Sequence, residues 1–594
     1  MSVRKPLFLT LTAALLMVQS ALAQSEARIQ VVQPGIDQLK SDLKYLVELS
    51  PTPALKKQWG TTLEPLLDSF AEGLDPTKPI RVDILIGKTV DYEMHFPVKK
   101  LAGGQSFLNN LNGMGFNVKP LGQGGNLYTV TQGNNKKGGP AKNPFFMRYL
   151  NGYGSFAPNQ AAVPANLPDP IGDPEKGVKA LLAKGYDVAV SLKNSAAPAD
   201  VAARKASFKE LRKQLEAGLS TKRSEDKSEF ALRKLSMEQN LNEAERFVVD
   251  IDEFLAGWTT TIGANGMAGK GRSEFSLTAL PNSDLEKSAQ ALATKSSHFA
   301  NVTLHKEPAV SGKINFGLDK LREDHLKEFY KTVRPTLELQ IDRRVTFKTA
   351  EQKKAVKAAS NILIDMLNDT IALGVADLFM DLHSAGDGKH TLVCGARVAD
   401  GKKADEIVKL LPQVNASRDI KLDMHKIGDD FSVHSVGIPD HRKAAFQKLF
   451  PGEQTIYVAT SKDTVWGAAG VDALKELEAA IKEAAKPAPE AVDPRVVYFT
   501  ANAARLIEVM DILRPEEQPI DEKLTKDEKA RIKQRDKDLE RVRKLAVEAT
   551  AGCDSLFSGE IKKDGNKVDG WMDVSECVLK FIGAVTADFA KDMQ

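Results

Sequence analysis

The chain has few cysteines and few aromatic residues. Three of its 594 residues are cysteine, and Phe, Trp and Tyr together make up 6%. Three cysteines allow at most one disulfide within the chain. Sparse aromatic residues give little support to a carbohydrate-binding surface, which depends on exposed rings.

A strong charge of one sign is also lacking. The chain carries 82 Lys and Arg against 79 Asp and Glu, and two of the cations, Arg4 and Lys5, lie in an N-terminal segment that we expect to be removed. The rest of the chain is close to neutral. This balance gives no reason to expect nucleic acid or a strongly anionic molecule as a partner.

Long apolar runs are confined to the N-terminus. Leu7 to Val18 is apolar and is followed by Ala21-Leu22-Ala23, the pattern of small residues that precedes signal-peptide cleavage. We predict a signal peptide at residues 1–23 and a periplasmic or secreted mature protein. An uncleaved N-terminal anchor is the alternative. No later stretch approaches about 18 apolar residues, so no transmembrane segment is predicted after signal cleavage.

Familiar catalytic motifs are absent from the sequence. It contains no Gly-x-Ser-x-Gly, no His-Glu-x-x-His and no Gly-x-Gly-x-x-Gly at the start of a predicted helix. Ala264 to Gly271 resembles a phosphate loop, but Gly271 stands where Ser or Thr is needed, so a hairpin turn is favoured. We therefore predict no catalytic residue, cofactor-binding residue or cofactor. Sites are spatial, so the question of an enzyme stays open, with the sequence favouring a non-enzyme.

The pattern that recurs is a β-hairpin followed by an amphipathic helix. It is plainest at Ile80 to Leu111 and at Leu378 to Leu411, where apolar residues alternate along two strands and are followed by a helical period. Such alternation is typical of a sheet with one buried face. Four copies predict an α+β protein in which antiparallel sheets pack against helices.

The two halves of the chain resemble each other. The segment that begins at Val31 is similar to the one that begins at Ile314, and elements of the same type follow each of them in nearly the same order. A chain of this length also exceeds what one core organises. We predict two tandem pseudo-repeat domains, 24–312 and 313–594, that arose by internal duplication. Between Gly133 and Gly177, where periodicity is lost, we predict a long surface loop.

Histidines raise the question of a metal site. Four of the nine lie in two neighbouring hairpins of the second half, at His383, His390, His425 and His434, and imidazole is a good zinc ligand. Placing Leu378, Met380, Leu382, Leu392 and Cys394 on one buried face puts His390 on that face and His383 on the solvated one. In the other hairpin, matching Met424 with Val433 places His425 and His434 diagonally on the solvated face. We predict no metal site, although whether His425 and His434 take part in a site is left open.

Cys553 and Cys577 flank the last predicted hairpin. Setting Ile561 opposite Val568 places Cys553 opposite Glu576, one residue away from Cys577. Two free thiols are therefore favoured over a bridge, which remains the alternative. Cys394, within a predicted strand, is expected to be a free thiol as well.

Three features of the sequence together indicate a family resemblance: the signal peptide, the duplicated layout and the closing segment from Val574 to Gly583. The chain resembles uncharacterised exported proteins of planctomycete-type bacteria, a resemblance that implies no activity. The leading hypothesis is an exported non-enzymatic binding or structural protein of the cell envelope, with an unknown protein or ligand bound on its curved sheets. The alternatives are a carrier of an apolar or lipid-like ligand and a hydrolase with an unrecognised site.

Overall fold

A computed structural model describes most of the chain. The described residues are 27–592, apart from 50–52, 87–89, 100–103, 114–115, 122–125, 133–143, 151, 161–162, 164–181, 222–224, 263–268, 307, 345–346, 348, 387–388, 415–418, 439, 451–453, 488, 490, 513–525 and 554. The predicted signal peptide lies outside the described residues. Within them, no helix is both long and apolar enough to cross a bilayer.

The described residues form strands and helices in alternation. The strands are β1 Ala27–Gln33, β2 Ile80–Ile86, β3 Val90–Pro97, β4 Phe116–Pro120, β5 Leu127–Gln132, β6 Phe145–Leu150, β7 Tyr153–Ala157, β8 Val188–Lys193, β9 Ile251–Thr261, β10 Lys270–Ala279, β11 Pro308–Gly317, β12 Val375–Gly386, β13 Lys389–Arg397, β14 Ile420–Ile427, β15 Phe431–Gly437, β16 Thr455–Thr460, β17 Thr464–Gly470, β18 Arg495–Asn502, β19 Leu556–Asp564 and β20 Lys567–Ser575. The helices are α1 Ile36–Leu49, α2 Pro53–Gln58, a π-helical turn Trp59–Leu63, α3 Glu64–Ala71, α4 Gly104–Gly113, α5 Pro198–Ala217, α6 Lys227–Asp250, α7 Asp284–Ala291, α8 Lys320–Arg344, α9 Ala350–Ile371, α10 Gly401–Val414, α11 Asp440–Leu449, α12 Ala473–Ala484, α13 Ala503–Ile512, α14 Lys526–Thr550 and α15 Glu576–Asp592.

All 20 strands belong to one antiparallel sheet. Their pairings give the order β4-β5-β6-β7-β3-β2-β1-β8-β9-β10-β20-β19-β18-β11-β12-β13-β17-β16-β15-β14. Helices and antiparallel sheet together confirm the predicted α+β class. Both of the plainest hairpin-plus-helix copies are present, as β2-β3-α4 and β12-β13-α10.

The order of the first ten strands recurs in the second ten. Reading inwards from each edge of the sheet, β4 to β10 and β14 to β20 follow the same sequence, and β10 pairs with β20 from Lys270 opposite Ser575 to Thr278 opposite Lys567. The sheet is therefore continuous between the halves. The predicted boundary at 312 and 313 lies inside β11, so a division of the chain there would cut a strand. Descent from one duplicated segment stays a prediction.

The predicted loop from Gly133 to Gly177 contains two strands. β6 and β7 pair with each other, and β7 also pairs with β3, with every residue of β7 buried. The loop prediction is wrong for this part, because the Gly- and Asn-rich flanks obscured a short apolar hairpin. Most of the rest of the predicted loop, at 133–143, 151, 161–162 and 164–177, lies outside the described residues.

Each half has its own apolar core. In the first half, Phe208 of α5 and Leu241 of α6 pack with Ile29 and Leu192 of the sheet. In the second half, Phe379 and Trp466 pack with Leu477 of α12 and with Phe299 from the end of the first half. Burying each such side chain stabilises the fold by about 1.5 to 3 kcal/mol. The α12 contact matters for function because it covers one face of β12 and β13.

Cys553 and Cys577 form a disulfide, with their Cα atoms 6.1 Å apart. The expectation of two free thiols is wrong. Ile561 lies opposite Gly570, and Lys563 lies opposite Val568, so the predicted register was two residues out. Neither cysteine lies within the paired strands, and register alone could not place them. Cys394 is free, as predicted.

A buried ion pair joins the halves away from the strands. The Arg246 guanidinium, in α6, donates to both oxygens of Asp319, at 2.9 and 3.2 Å. The same carboxylate accepts the Ser288 hydroxyl at 2.9 Å and the Leu321 N–H, in the first turn of α8, at 3.0 Å. Burial raises the pKa of Asp319, but the bonds from Arg246 and Ser288 outweigh it and bring the pKa to about 2.

Candidate functional site

Strand β12 exposes apolar side chains on one face of the sheet. Leu378 is 41% exposed and Met380 is 42% exposed, and Ile314 of the neighbouring β11 is 37% exposed. Side chains alternate between faces along a strand, so these residues project to the same side as their cross-strand partners. A cluster of exposed large apolar residues is unusual on a soluble protein and typically marks an interaction site.

The partners of these residues form the floor of a groove. Met380 pairs with Gly312 on one side and with Cys394 on the other, and Cys394 pairs in turn with Gly467. Two of the four residues in this row, Gly312 and Gly467, are glycines, so no side chain fills the space above them and the groove is deeper there. Leu378 pairs with Ile314 and Ala396 in the neighbouring row. The resulting groove encloses about 740 Å³ between residues of β11, β12, β13, β16, β17 and β18.

The groove contains almost no charge. Of the residues that the structure describes in its lining, Lys313 is the only charged one. Its ammonium group donates to the Ala300 carbonyl at 2.9 Å on the other side of the sheet, and burial lowers its pKa. The floor therefore offers apolar contact and no ion-pairing group.

Cys394, the free cysteine, lies within this groove. Its thiol lies 3.6 Å from the Gly467 carbonyl, to which it donates a weak hydrogen bond, and burial raises its pKa. A raised pKa keeps the thiol protonated and poorly nucleophilic at neutral pH. Cys394 is thus a residue of the groove floor and not a candidate nucleophile.

The predicted sharing of one face by the apolar residues of β12 and β13 is confirmed, but only part of that face is buried. Leu382 lies opposite Leu392, and Met380 lies opposite Cys394. Leu382 is covered, together with Leu449 of α11 and Val509 of α13, whereas Met380 is open. The opposite face, which carries Asp381 and His383, is closed off by α12 and the segment that leads into β11.

The four histidines considered from the sequence do not form one site. His390 is buried, as predicted, whereas His383 is buried and was expected on the solvated face. His425 lies opposite Val433, so His425 and His434 project to opposite faces. The pairing differs from the predicted one because β14 is irregular between Lys421 and His425, a stretch that includes Asp423 at a positive φ of 48°. The expectation that His425 and His434 share a solvated face is wrong.

His383 has a partner that was not considered from the sequence. The imidazoles of His305 and His383 stack with their ring centroids 3.5 Å apart, and the Asp381 carboxylate lies 2.5 Å from Nδ1 of His305 and 3.3 Å from Nδ1 of His383. Burial raises the pKa of Asp381, but the bonds with both histidines outweigh it and leave the pKa below its usual value. His305 lies in an irregular segment far from His383 in sequence, so no motif spacing could indicate the contact.

Comparisons with known proteins do not assign a family to this chain. No protein-family model, no curated protein and no solved structure matches it. Function is therefore inferred from the open groove and from the chemistry of the side chains around it.

Proposed function

We propose that this chain is an exported binding protein that holds an apolar, lipid-like ligand on the open face of its sheet. The observation that carries the proposal is the exposure of Leu378 and Met380 within one groove of about 740 Å³. Ligand sites in proteins are mostly apolar and typically occupy about 300 to 1,000 Å³. Both of these properties are met by the groove.

The driving force is the removal of apolar surface from water. Each Å² of apolar surface covered contributes about 25 cal/mol, so a ligand that covers the Leu378, Met380 and Ile314 side chains gains several kcal/mol before its own entropy cost. An acyl chain or a similar neutral apolar group suits a floor without ion-pairing groups. Charged ligand atoms would have to remain at the solvent side of the groove, since burying them unpaired is costly.

Binding can be measured with N-phenyl-1-naphthylamine, a neutral probe whose fluorescence rises in an apolar environment. We expect Met380→Glu to weaken binding by about tenfold or more, because a ligand in the groove would bury an unpaired carboxylate. Met510→Glu is the matched control, since Met510 is 69% exposed on α13 and does not line the groove. Equal affinity in the wild type and Met380→Glu, or equal losses in both variants, would contradict the proposal.

Cys394 gives an independent measure of where the probe binds. A small maleimide should modify this thiol more slowly in the presence of bound N-phenyl-1-naphthylamine, because Cys394 lines the floor of the groove. An unchanged rate at saturating probe would place the ligand elsewhere. Export is tested separately: mature protein from the periplasm or the medium should begin at Gln24.

A further inference from the structure

Three possible metal-ligating residues meet on the covered face of β12. His383 lies in β12, Glu476 lies in the first turn of α12, and His305 lies in the segment before β11. One donor atom from each lies within 4.8 Å of the other two. Zinc–nitrogen distances of about 2.0 to 2.1 Å require donor atoms roughly 3 to 3.5 Å apart. The rings of His305 and His383 stack at an interplanar angle of 15°, so binding one ion requires His305 to rotate as well as approach. His305 and Glu476 are not buried, which leaves them free to make this adjustment.

Asp381 already favours the tautomer of both imidazoles that a metal requires. Its carboxylate faces Nδ1 of His305 and Nδ1 of His383. With Nδ1–H directed at the carboxylate, Nε2 of each ring carries the free lone pair. Metal-bound histidines typically show this arrangement, in which a carboxylate fixes the tautomer and raises the basicity of the ligand.

The covered face also contains a carboxylate oxygen without a hydrogen-bond partner. The Oδ1 atom of Asp381 is buried without one, and the side chains of Asp381 and His383 are only 4% and 8% exposed. A buried carboxylate beside two stacked imidazoles is costly when no cation stabilises it. A dication would offset the two negative charges of Asp381 and Glu476 and allow both histidines to remain neutral.

A small cavity gives access to this cluster. It encloses about 150 Å³ and is lined by His305, Asp381, His383 and Glu476 together with apolar side chains such as Phe379. His305 is 47% exposed and provides a route from solvent. Three protein ligands beside a cavity leave a coordination position open to water, as in catalytic rather than structural zinc sites.

A second cluster of similar composition, on β2 and β3, already contains a cation. The Arg81 guanidinium donates to both oxygens of Asp83, at 2.7 and 2.6 Å. Nδ1 of His95 bonds to the Ser155 hydroxyl at 2.9 Å, and Nε2 lies 3.4 Å from Asp83. The arginine therefore takes the place that a metal would occupy.

In a third cluster, around His434, neither ring nitrogen offers a free lone pair to a metal. Nδ1 of His434 accepts the Asp423 N–H at 3.1 Å, so Nε2 carries the proton and faces Asp405 at 3.0 Å. Lys409 already pairs with Asp405 at 2.6 Å. The cluster on β12 is the one whose nitrogen lone pairs remain available.

We infer that His305, His383 and Glu476 bind one Zn²⁺ ion, with Asp381 positioning the two imidazoles. Two nitrogens and one carboxylate favour zinc or a similar transition-metal dication over Mg²⁺ and Ca²⁺, which prefer oxygen ligands. The site lies on the opposite face of the sheet from the apolar groove and does not depend on the proposed function.

The experiment uses untagged protein that has been stripped with a chelator. Zn²⁺ is titrated in competition with a chromogenic chelator, and Co²⁺ is added separately to record the visible absorption of a four-coordinate site. We expect one Zn²⁺ per chain, a visible Co²⁺ spectrum and no competition from millimolar Mg²⁺. His305→Ala should abolish the Co²⁺ spectrum, and Asp381→Asn should weaken Zn²⁺ binding by about 10- to 100-fold.

His425→Ala is the matched control, because His425 has a similar exposure of 41% and bonds to Glu478 of the same helix, α12. It should bind Zn²⁺ like the wild type, and so should Met380→Glu. Glu476→Gln is a second variant of a proposed ligand. Glu476 lies on the partly exposed face of α12, so this variant should fold even if His305→Ala does not. Zn²⁺ binding that survives both His305→Ala and Glu476→Gln, or that His425→Ala weakens equally, would overturn the inference.

Discussion

The ion pair between Arg246 and Asp319 predicts a pH-dependent link between the halves of the chain. Asp319→Asn keeps the shape of the side chain but removes its charge, and it turns an amide donor toward a guanidinium or a hydroxyl. The Arg246 side chain is 8% exposed and that of Asp319 is 6% exposed, so water cannot replace the lost bonds. The variant should therefore unfold more easily than the wild type at neutral pH.

The size of the effect follows from the pKa of Asp319. A decrease from 3.8 to about 2 corresponds to about 2 kcal/mol of stability at neutral pH. Leaving Arg246 buried without its partner raises the expected loss to about 3 to 5 kcal/mol. Because the pKa in the folded state is the lower one, this stability is present above about pH 4 and is lost as the pH falls through about 2.

Urea denaturation at several pH values tests this prediction. Wild-type stability should decrease between about pH 4 and pH 2, and Asp319→Asn should lack that part of the decrease. Asp493→Asn is the matched control, because Asp493 and its partner Arg495 are 43% and 47% exposed and such pairs contribute at most about 1 kcal/mol. The same pH profile in Asp319→Asn and the wild type, or equal losses in both variants, would refute the reasoning.

Two further predictions concern local restraints. The disulfide joins residues 24 apart in sequence, and the loss of chain entropy in the unfolded state gives it about 3.5 kcal/mol of stability. The double variant Cys553→Ala with Cys577→Ala should therefore lose about that much free energy of unfolding in urea. An unchanged urea midpoint under oxidising conditions would contradict this. Thr349 caps α9 by accepting the Gln352 N–H at 3.1 Å, so Thr349→Ala should cost about 1 kcal/mol in the same assay, whereas Thr349→Ser should cost much less.

The sequence predicts individual strands and hairpins better than it predicts which other elements pack against them. Alternation along β2-β3 and β12-β13 indicates the hairpins and their antiparallel pairing, because the side-chain period of a strand is a local property. The register of β12 against β13 also follows from their apolar residues. The β6-β7 hairpin was missed because its strands are short and the neighbouring composition is typical of loops.

Which residues meet in the candidate sites depends on long-range contacts that local sequence patterns do not predict. His305 reaches Asp381 only because the segment before β11 folds back over β12. The register of His434 depends on an irregularity at Asp423, where a positive φ shifts the pairing of β14 and β15. Periodicity predicts which residues share a face of a strand, but it does not say which face another element will cover.

Strand β12 departs in part from the usual rule for a half-buried strand. Its covered face carries Asp377, Asp381 and His383 beside Phe379, while Leu378 and Met380 are exposed on the other face and only Leu382 is covered there. In an ordinary antiparallel sheet the apolar residues would be the covered ones. Leaving a Leu or Met side chain about two-fifths exposed forgoes about 1 kcal/mol each, and burying a carboxylate adds a further cost.

Only part of that cost is offset within the fold. Asp377 is satisfied by the Ser297 hydroxyl at 2.6 Å and the His298 N–H at 2.7 Å. Asp381 retains a buried oxygen without a hydrogen bond, and Met380 retains its exposed surface. Sequences depart from the rules of stable folding mainly where function requires it. Both departures fall on neighbouring residues of one strand, which is why we assign a ligand to each of its faces: an apolar molecule over Met380 and a metal ion beside Asp381.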